Sequence, residues 1–286
     1  MRLIHFADDH GAPRLGARTG ADTFIDLTAL GLPSTLDALL RDGEAGLAAA
    51  RSGVQRGGPA RTLSAVRLLP PVLQPAKAFA IGLNYKDHAA ESQFDAPMNP
   101  VVFQRYPSSW VAHGQPIVRP HISTQFDYEA EVVAVIGKAG RYIRKEDALS
   151  HVAGYSLFND GSVRDWQKRS GQWLLGKNFD ASGGFGPEFV TADELPPGAS
   201  GLRLQCRLNG QVVQDANTAD MIFDVATLVA ECSQAMALAP GDIIITGTPS
   251  GVGLARTPPL WMRAGDVCEI ELEGLGILRN TVVDET

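Results

Sequence analysis

The stretch FDYEAEVVAVIG, residues 126–137, decides how the chain is read. From Glu131 onward it has the character of a buried β-strand: Val132, Val133, Ala134, Val135 and Ile136 form a continuous apolar, largely β-branched run closed by Gly137. Its front end carries acid instead. Side chains in a strand alternate faces, so Asp127, Glu129 and Glu131 project from one side and Tyr128, Ala130 and Val132 from the other. Carboxylates this close repel one another, and burying them unpaired is costly. The row therefore needs either a compensating cation or contact with water. A solvated strand edge is the commoner arrangement for acidic side chains. A hard-cation site is the alternative, and it requires more oxygen ligands than one strand supplies.

Outward from this stretch, strand patterns dominate, at 79–82, 101–103, 128–136, 153–158, 202–208, 211–214, 243–246 and 267–272. Asn209-Gly210 joins two of them with a strong short hairpin signal. Helical spacing is clearest over 221–238, through Ile222, Val225, Leu228, Val229 and Met236. Because the strands are not separated by regular helices, the pattern predicts a β-rich α+β body rather than a doubly wound parallel sheet. Residues 1–70 differ in character, with short strand candidates at Leu3–Phe6 and Thr23–Leu27 and an Ala/Leu-rich helix from Ser34 to Arg51. The Pro-rich run 69–75 follows as a connector, dividing a small N-terminal domain, 1–70, from a large one, 71–286.

Composition narrows the function. The 286 residues carry a net charge of −7 with basic residues scattered, which argues against a nucleic-acid partner. No apolar run approaches the roughly twenty residues of a membrane span, and Cys206, Cys232 and Cys268 form no C-x-x-C pair. A soluble cytoplasmic enzyme acting on a small molecule is the expectation.

Several segments carry candidate chemistry. Asp160, in Asn159-Asp160-Gly161, ends an apolar strand pattern, a usual place for a functional side chain. Two glutamates on one strand face and this aspartate suit one octahedral Mg²⁺ or Mn²⁺. His88 and Glu91 lie three residues apart, so in a helical turn they share a face, and the carboxylate raises the basicity of the imidazole; an exposed ion pair is the plainer alternative. Lys177 follows Gly176 and is read from its surroundings as either a surface or a site lysine. The strand 243–246 opens into the loop Gly247-Thr248-Pro249-Ser250-Gly251-Val252-Gly253. That loop lacks the Gly-Lys-Ser/Thr of a phosphate loop, but its amides and Thr248 suit a carboxylate.

Together these segments resemble the fumarylacetoacetate hydrolase family from about Lys77 to the C-terminus. The residues that carry the resemblance are Gly82-Leu83-Asn84-Tyr85 with His88 and Glu91, Glu129-Ala130-Glu131, Asn159-Asp160 with Arg164-Asp165-Trp166-Gln167, Gly176-Lys177, Asp220-Met221-Ile222-Phe223 and the run Pro240 to Gly253. The resemblance implies a mixed β-sandwich roll and a homodimer, with Mg²⁺ or Mn²⁺ held by Glu129, Glu131 and Asp160. It makes His88 and Glu91 the general-base dyad on a segment able to order over substrate, and Lys177 the group near a developing enolate. It places Arg164, Gln167 and Thr248 against substrate, with Asp127 in support of the cluster or on a solvated rim.

Two departures stand out. Arg105 occupies a substrate-contacting position where many members carry lysine, and Gly161 stands where the family often has a bulkier residue, which predicts a locally wider pocket. Phe94 and Met98 suggest an apolar distal wall. The implied reaction is hydrolytic C–C cleavage of a 2,4-dioxo acid through a pyruvate enolate. Decarboxylation or tautomerisation of oxaloacetate and isomerisation of a 2-hydroxymuconate-type acid are alternatives on the same site. A binding protein with a lapsed site is the alternative of another class, and the competent residues at every position of the trio, the dyad and the lysine weigh against it.

Overall fold

The computed structural model describes residues 1–87 and 97–286. Among them, the strand Ala130–Ile136 lies inside a mixed sheet of twelve strands. It pairs antiparallel with Val152–Asn159 on one side and with Ile243–Ile245 on the other. Its continuous apolar run is explained by cover on both faces. Ala130, Val132, Ala134 and Ile136 pack into one core with Leu204, Cys206, Ile270 and Leu278 of a second, five-stranded sheet. Val133 and Val135 pack into another core with Trp110, Phe158 and the N-terminal helix residues Leu36, Leu39 and Leu40. This is the β-rich α+β, sheet-on-sheet architecture expected.

The predicted strands appear with shifted ends. The hairpin at Asn209-Gly210 joins Arg203–Leu208 to Gln211–Asn217, with positive φ at both turn residues. The helix is Val225–Ala235, shorter than its pattern, because the Asp224 carboxylate accepts the amide of Thr227 and caps it there. The N-terminal helix is two helices, Leu36–Arg41 and Gly43–Arg56, capped by Thr35 rather than begun at Ser34.

Two strand features escape the sequence pattern. Gly183–Thr191, a stretch outside the expected strands, is a central strand between Val152–Asn159 and Arg2–Ala7. A side chain at Gly183 would put its Cβ 2.6 Å from Arg105 Nη2 and 2.9 Å from the Asn159 carbonyl, so the strand must be bare where it passes them. Through this strand the first seventy residues join the large sheet, with Arg2 opposite Val190 and Leu3 opposite Phe189. The run after Leu69 is likewise fastened: Val72 is fully buried and the Pro70 carbonyl bonds the ring of His5.

Candidate active site

Strand register converges three chain segments on one point. Ala130 stands opposite Asn159, so the next residue, Asp160, falls level with Glu129, and the Asp160 amide donates to the Glu129 carbonyl at 2.9 Å. On the other side Val133 stands opposite Ile245, so the loop after Ile245 meets Glu131, whose Oε2 accepts the Gly247 amide at 2.5 Å. Ile243–Ile245 runs parallel to Ala78–Gly82, which brings Gly82 and Leu83 to the same edge. Ligand oxygens of Glu129, Glu131 and Asp160 lie within 4.8 Å of one another, and all three residues are buried.

The side chains facing these carboxylates answer the question raised by the acidic row. Lys177 donates from Nζ to Glu129 Oε2 and Asp160 Oδ2, both at 2.7 Å, and is only 2% exposed. Arg164 reaches Glu129 Oε1 and Asp127 Oδ2, each at 2.7 Å. Burial opposes its charge, but Asp127 and Glu129 outweigh that and hold its pKa above the ordinary value. Among the described residues Glu131 pairs with no cationic side chain. Burial, and then repulsion from Asp160 and Glu129, push its carboxyl well above the usual carboxylate range. Of the trio, this one keeps an unmet demand for positive charge.

Asp127 is fully buried, not a solvated rim. Its oxygens accept the amides of Tyr128, Gly253 and Leu254 at 2.8–2.9 Å as well as Arg164 Nε. It thereby ties the Gly-rich loop to the arginine that holds Glu129.

Arg105 also differs from expectation. It is completely buried behind Asp160 and does not line the cavity. Its Nη1 donates to Asp160 Oδ1 at 2.7 Å and to the Gly161 carbonyl, and its Nη2 to the Ser109 carbonyl. It positions a carboxylate rather than a substrate. Gly161 does not widen the pocket either: a Cβ there would lie 1.9 Å from the Ser182 carbonyl oxygen, so the position is closed to any side chain.

A cavity of about 970 Å³ opens onto the cluster. Glu129, Glu131, Arg164, Gln167, Lys177 and Thr248 all line it. Gln167 accepts from Arg164 Nη1, and Thr248 accepts from Gln214, so both are held in place. His88, Glu91 and Phe94 lie outside the described residues, on the segment that continues from Tyr85. Met98 is 91% exposed and forms no part of the cavity wall. The roles of Asp127 and Arg105 were hidden because their partners lie far along the chain. The one available signal was a buried-strand pattern carrying more acid than a single ion neutralises.

Three buried carboxylates and their cations, set at strand ends before a cavity of mixed polar and apolar lining, have the parts of an enzyme site for small molecules. The family model for the fumarylacetoacetate (FAA) hydrolase C-terminal region matches residues 77–283, and the chain belongs to that family. It is 42% identical to the mitochondrial oxaloacetate tautomerase FAHD2A of Homo sapiens, over 99% of this chain and 92% of that one. Among solved structures, the fumarylacetoacetate hydrolase of Exiguobacterium antarcticum is 36% identical, with a TM-score of 0.84 and full coverage of both chains. The maleylpyruvate hydrolase of Sphingobium sp., in complex with manganese(II) and pyruvate, is 32% identical, with a TM-score of 0.83 over both whole chains. No helix among the described residues is long and apolar enough to cross a membrane.

Proposed function

We propose that the protein interconverts the keto and enol forms of a small 2-oxo dicarboxylic acid of the oxaloacetate kind. The observation that carries this reading is Lys177, an ammonium held between Glu129 and Asp160 on the wall of the cavity, where it can meet negative charge developing on an enolate oxygen. The likeness to an oxaloacetate tautomerase along nearly the whole chain supports this reaction ahead of the hydrolysis expected from the sequence.

The donor set suits a hard divalent cation: Glu129, Glu131 and Asp160 offer only oxygen, and among the described residues Glu131 forms no ion pair with a cationic side chain. Mg²⁺ or Mn²⁺ held there would supply Lewis-acid polarisation of the 2-oxo group. The chain's own residues do the rest. Asp127 fixes Arg164, and Arg164 fixes both Glu129 and Gln167, so the cavity floor is set before substrate arrives. Removal of the carbon-bound proton is assigned to His88 with Glu91, the dyad that the family resemblance implies and that lies outside the described residues.

Hydrolytic C–C cleavage of a 2,4-dioxo acid is the second reading, supported by the likeness to a maleylpyruvate hydrolase. It passes through the same enolate and adds a water nucleophile. The test follows the ultraviolet absorbance of freshly dissolved enol oxaloacetate, with Mg²⁺ or Mn²⁺, beside an assay of pyruvate release from 2,4-dioxo acids. Accelerated enol decay that EDTA abolishes and added metal restores is the expected result. Folded, metal-supplied protein that accelerates only pyruvate release would transfer the assignment to the second reading, and inactivity in both assays would refute both.

A further inference from the structure

The cavity lining includes two cations that make no ion pair with the carboxylate cluster. Arg256 and Lys168 both line it. Arg256 is half-buried, and its head is tethered: Nε donates to the Tyr128 hydroxyl oxygen at 3.1 Å and to the Gly251 carbonyl at 3.3 Å, and Nη2 to the Val213 carbonyl at 2.6 Å. All three acceptors are neutral. Tyr128 in turn donates its hydroxyl to Gly251, so the guanidinium rests on a fixed frame. Among the described residues, neither Arg256 nor Lys168 has a carboxylate within ion-pair distance. The inner cations are different, since Arg105, Arg164 and Lys177 each face at least one carboxylate at 2.7 Å. Each inner cation is matched by a carboxylate; among the described residues the outer two are not.

We infer that Arg256, assisted by Lys168, is the subsite for the second carboxylate of a 2-oxo dicarboxylic acid whose 2-oxo acid end lies at Glu129, Glu131 and Asp160. The inference rests on the reading of that cluster as an oxo-acid centre. A guanidinium presents a planar fork that matches a carboxylate, and a tethered fork loses little freedom on binding one. Lys168 is exposed and more strongly screened, so its share is smaller. The distal wall therefore selects for acid, and Met98, which is exposed, adds no apolar surface to it.

The test is calorimetric titration of the Mn²⁺-supplied protein with two unreactive probes of equal chain length, 2-oxoglutarate and 2-oxopentanoate. The dicarboxylate is expected to bind at least about tenfold tighter, the scale of one charge-assisted hydrogen bond. Arg256→Gln should erase the difference, Arg256→Lys should retain only part of it, and Lys168→Gln should retain most. Equal binding of the two probes by the unaltered protein overturns the inference without any variant. So does an unchanged ratio in folded Arg256→Gln or, if that variant does not fold, in Arg256→Lys, because a point charge cannot reproduce a two-pronged contact. Binding discrimination without enol turnover would count against the proposed reaction and leave the subsite standing. Enol turnover without discrimination would do the reverse.

Discussion

Replacing Lys177 by methionine keeps most of the length and apolar stem of the side chain and removes its charge. In the metal-free protein this leaves Glu129 Oε2 and Asp160 Oδ2 without the donor that now sits 2.7 Å from each, in a place where the lysine is 2% exposed. Removing one partner of a buried ion pair costs about 3–5 kcal/mol. In a chain of this size 1 kcal/mol shifts the melting temperature by roughly 2–4 °C, so the fall is on the order of 10 °C. Scanning calorimetry in EDTA at neutral pH measures it. The deficit should narrow as pH falls, because one of the stranded carboxylates can then take up a proton. Saturating Mn²⁺ should stabilise Lys177→Met more than it stabilises the unaltered protein, since the ion restores the positive charge the variant lost. Turnover should nevertheless drop by roughly 10²–10³-fold, the usual loss on removing one donor to a developing oxyanion. A melting temperature within about 2 °C of the unaltered protein in EDTA would refute the reasoning, because even 1 kcal/mol moves it that far.

Other expectations follow from the same geometry. Glu131→Gln removes a carboxyl that burial and its acidic neighbours disfavour as an anion, so it should leave metal-free stability unchanged or raised. Its Mn²⁺ affinity should fall by more than the roughly 10- to 100-fold that loss of an outer partner costs, and equal Mn²⁺ binding in calorimetry would remove Glu131 from the ligand set. The Glu131 carboxyl titrates above its ordinary value in the fold, so the folded chain holds a proton that the unfolded chain has released. Metal-free stability should therefore fall as pH rises from the ordinary carboxylate range through that raised value, and melting curves of Glu131→Gln should lack this component. His88→Ala should slow enol interconversion by roughly 100-fold or more if it carries the carbon-bound proton; stopped-flow rates close to those of the unaltered protein would assign the base elsewhere. Gly161→Ala forces a methyl against the Ser182 carbonyl and should cost about 1–3 kcal/mol in urea denaturation, whereas a neutral result would mean that the backbone there yields.

Local pattern was enough for much of this protein. The apolar run 132–136, the Asn209-Gly210 turn and the helical spacing around Val225 each express burial or backbone preference within a few residues, and each became the element its pattern predicts. Glu129 and Glu131 were readable as a pair because strand alternation fixes their common face, and Asp160, at the end of another strand pattern, was readable as their third. What the sequence could not determine was the counter-charge. Whether Asp127 met water, a metal or an arginine depended on Arg164 arriving from the far end of a paired strand. Whether Arg105 faced substrate or Asp160 depended on Gly183 letting that strand pass bare beside it. The same holds for Arg256, whose position is set by a hydroxyl and a carbonyl from two distant segments together with the nearby Gly251 carbonyl. Periodicity along a chain records which side chains are buried. Electrostatic partnership is decided by strand register and crossing, so only the assembled sheets settle which charges are balanced and which remain open to a ligand.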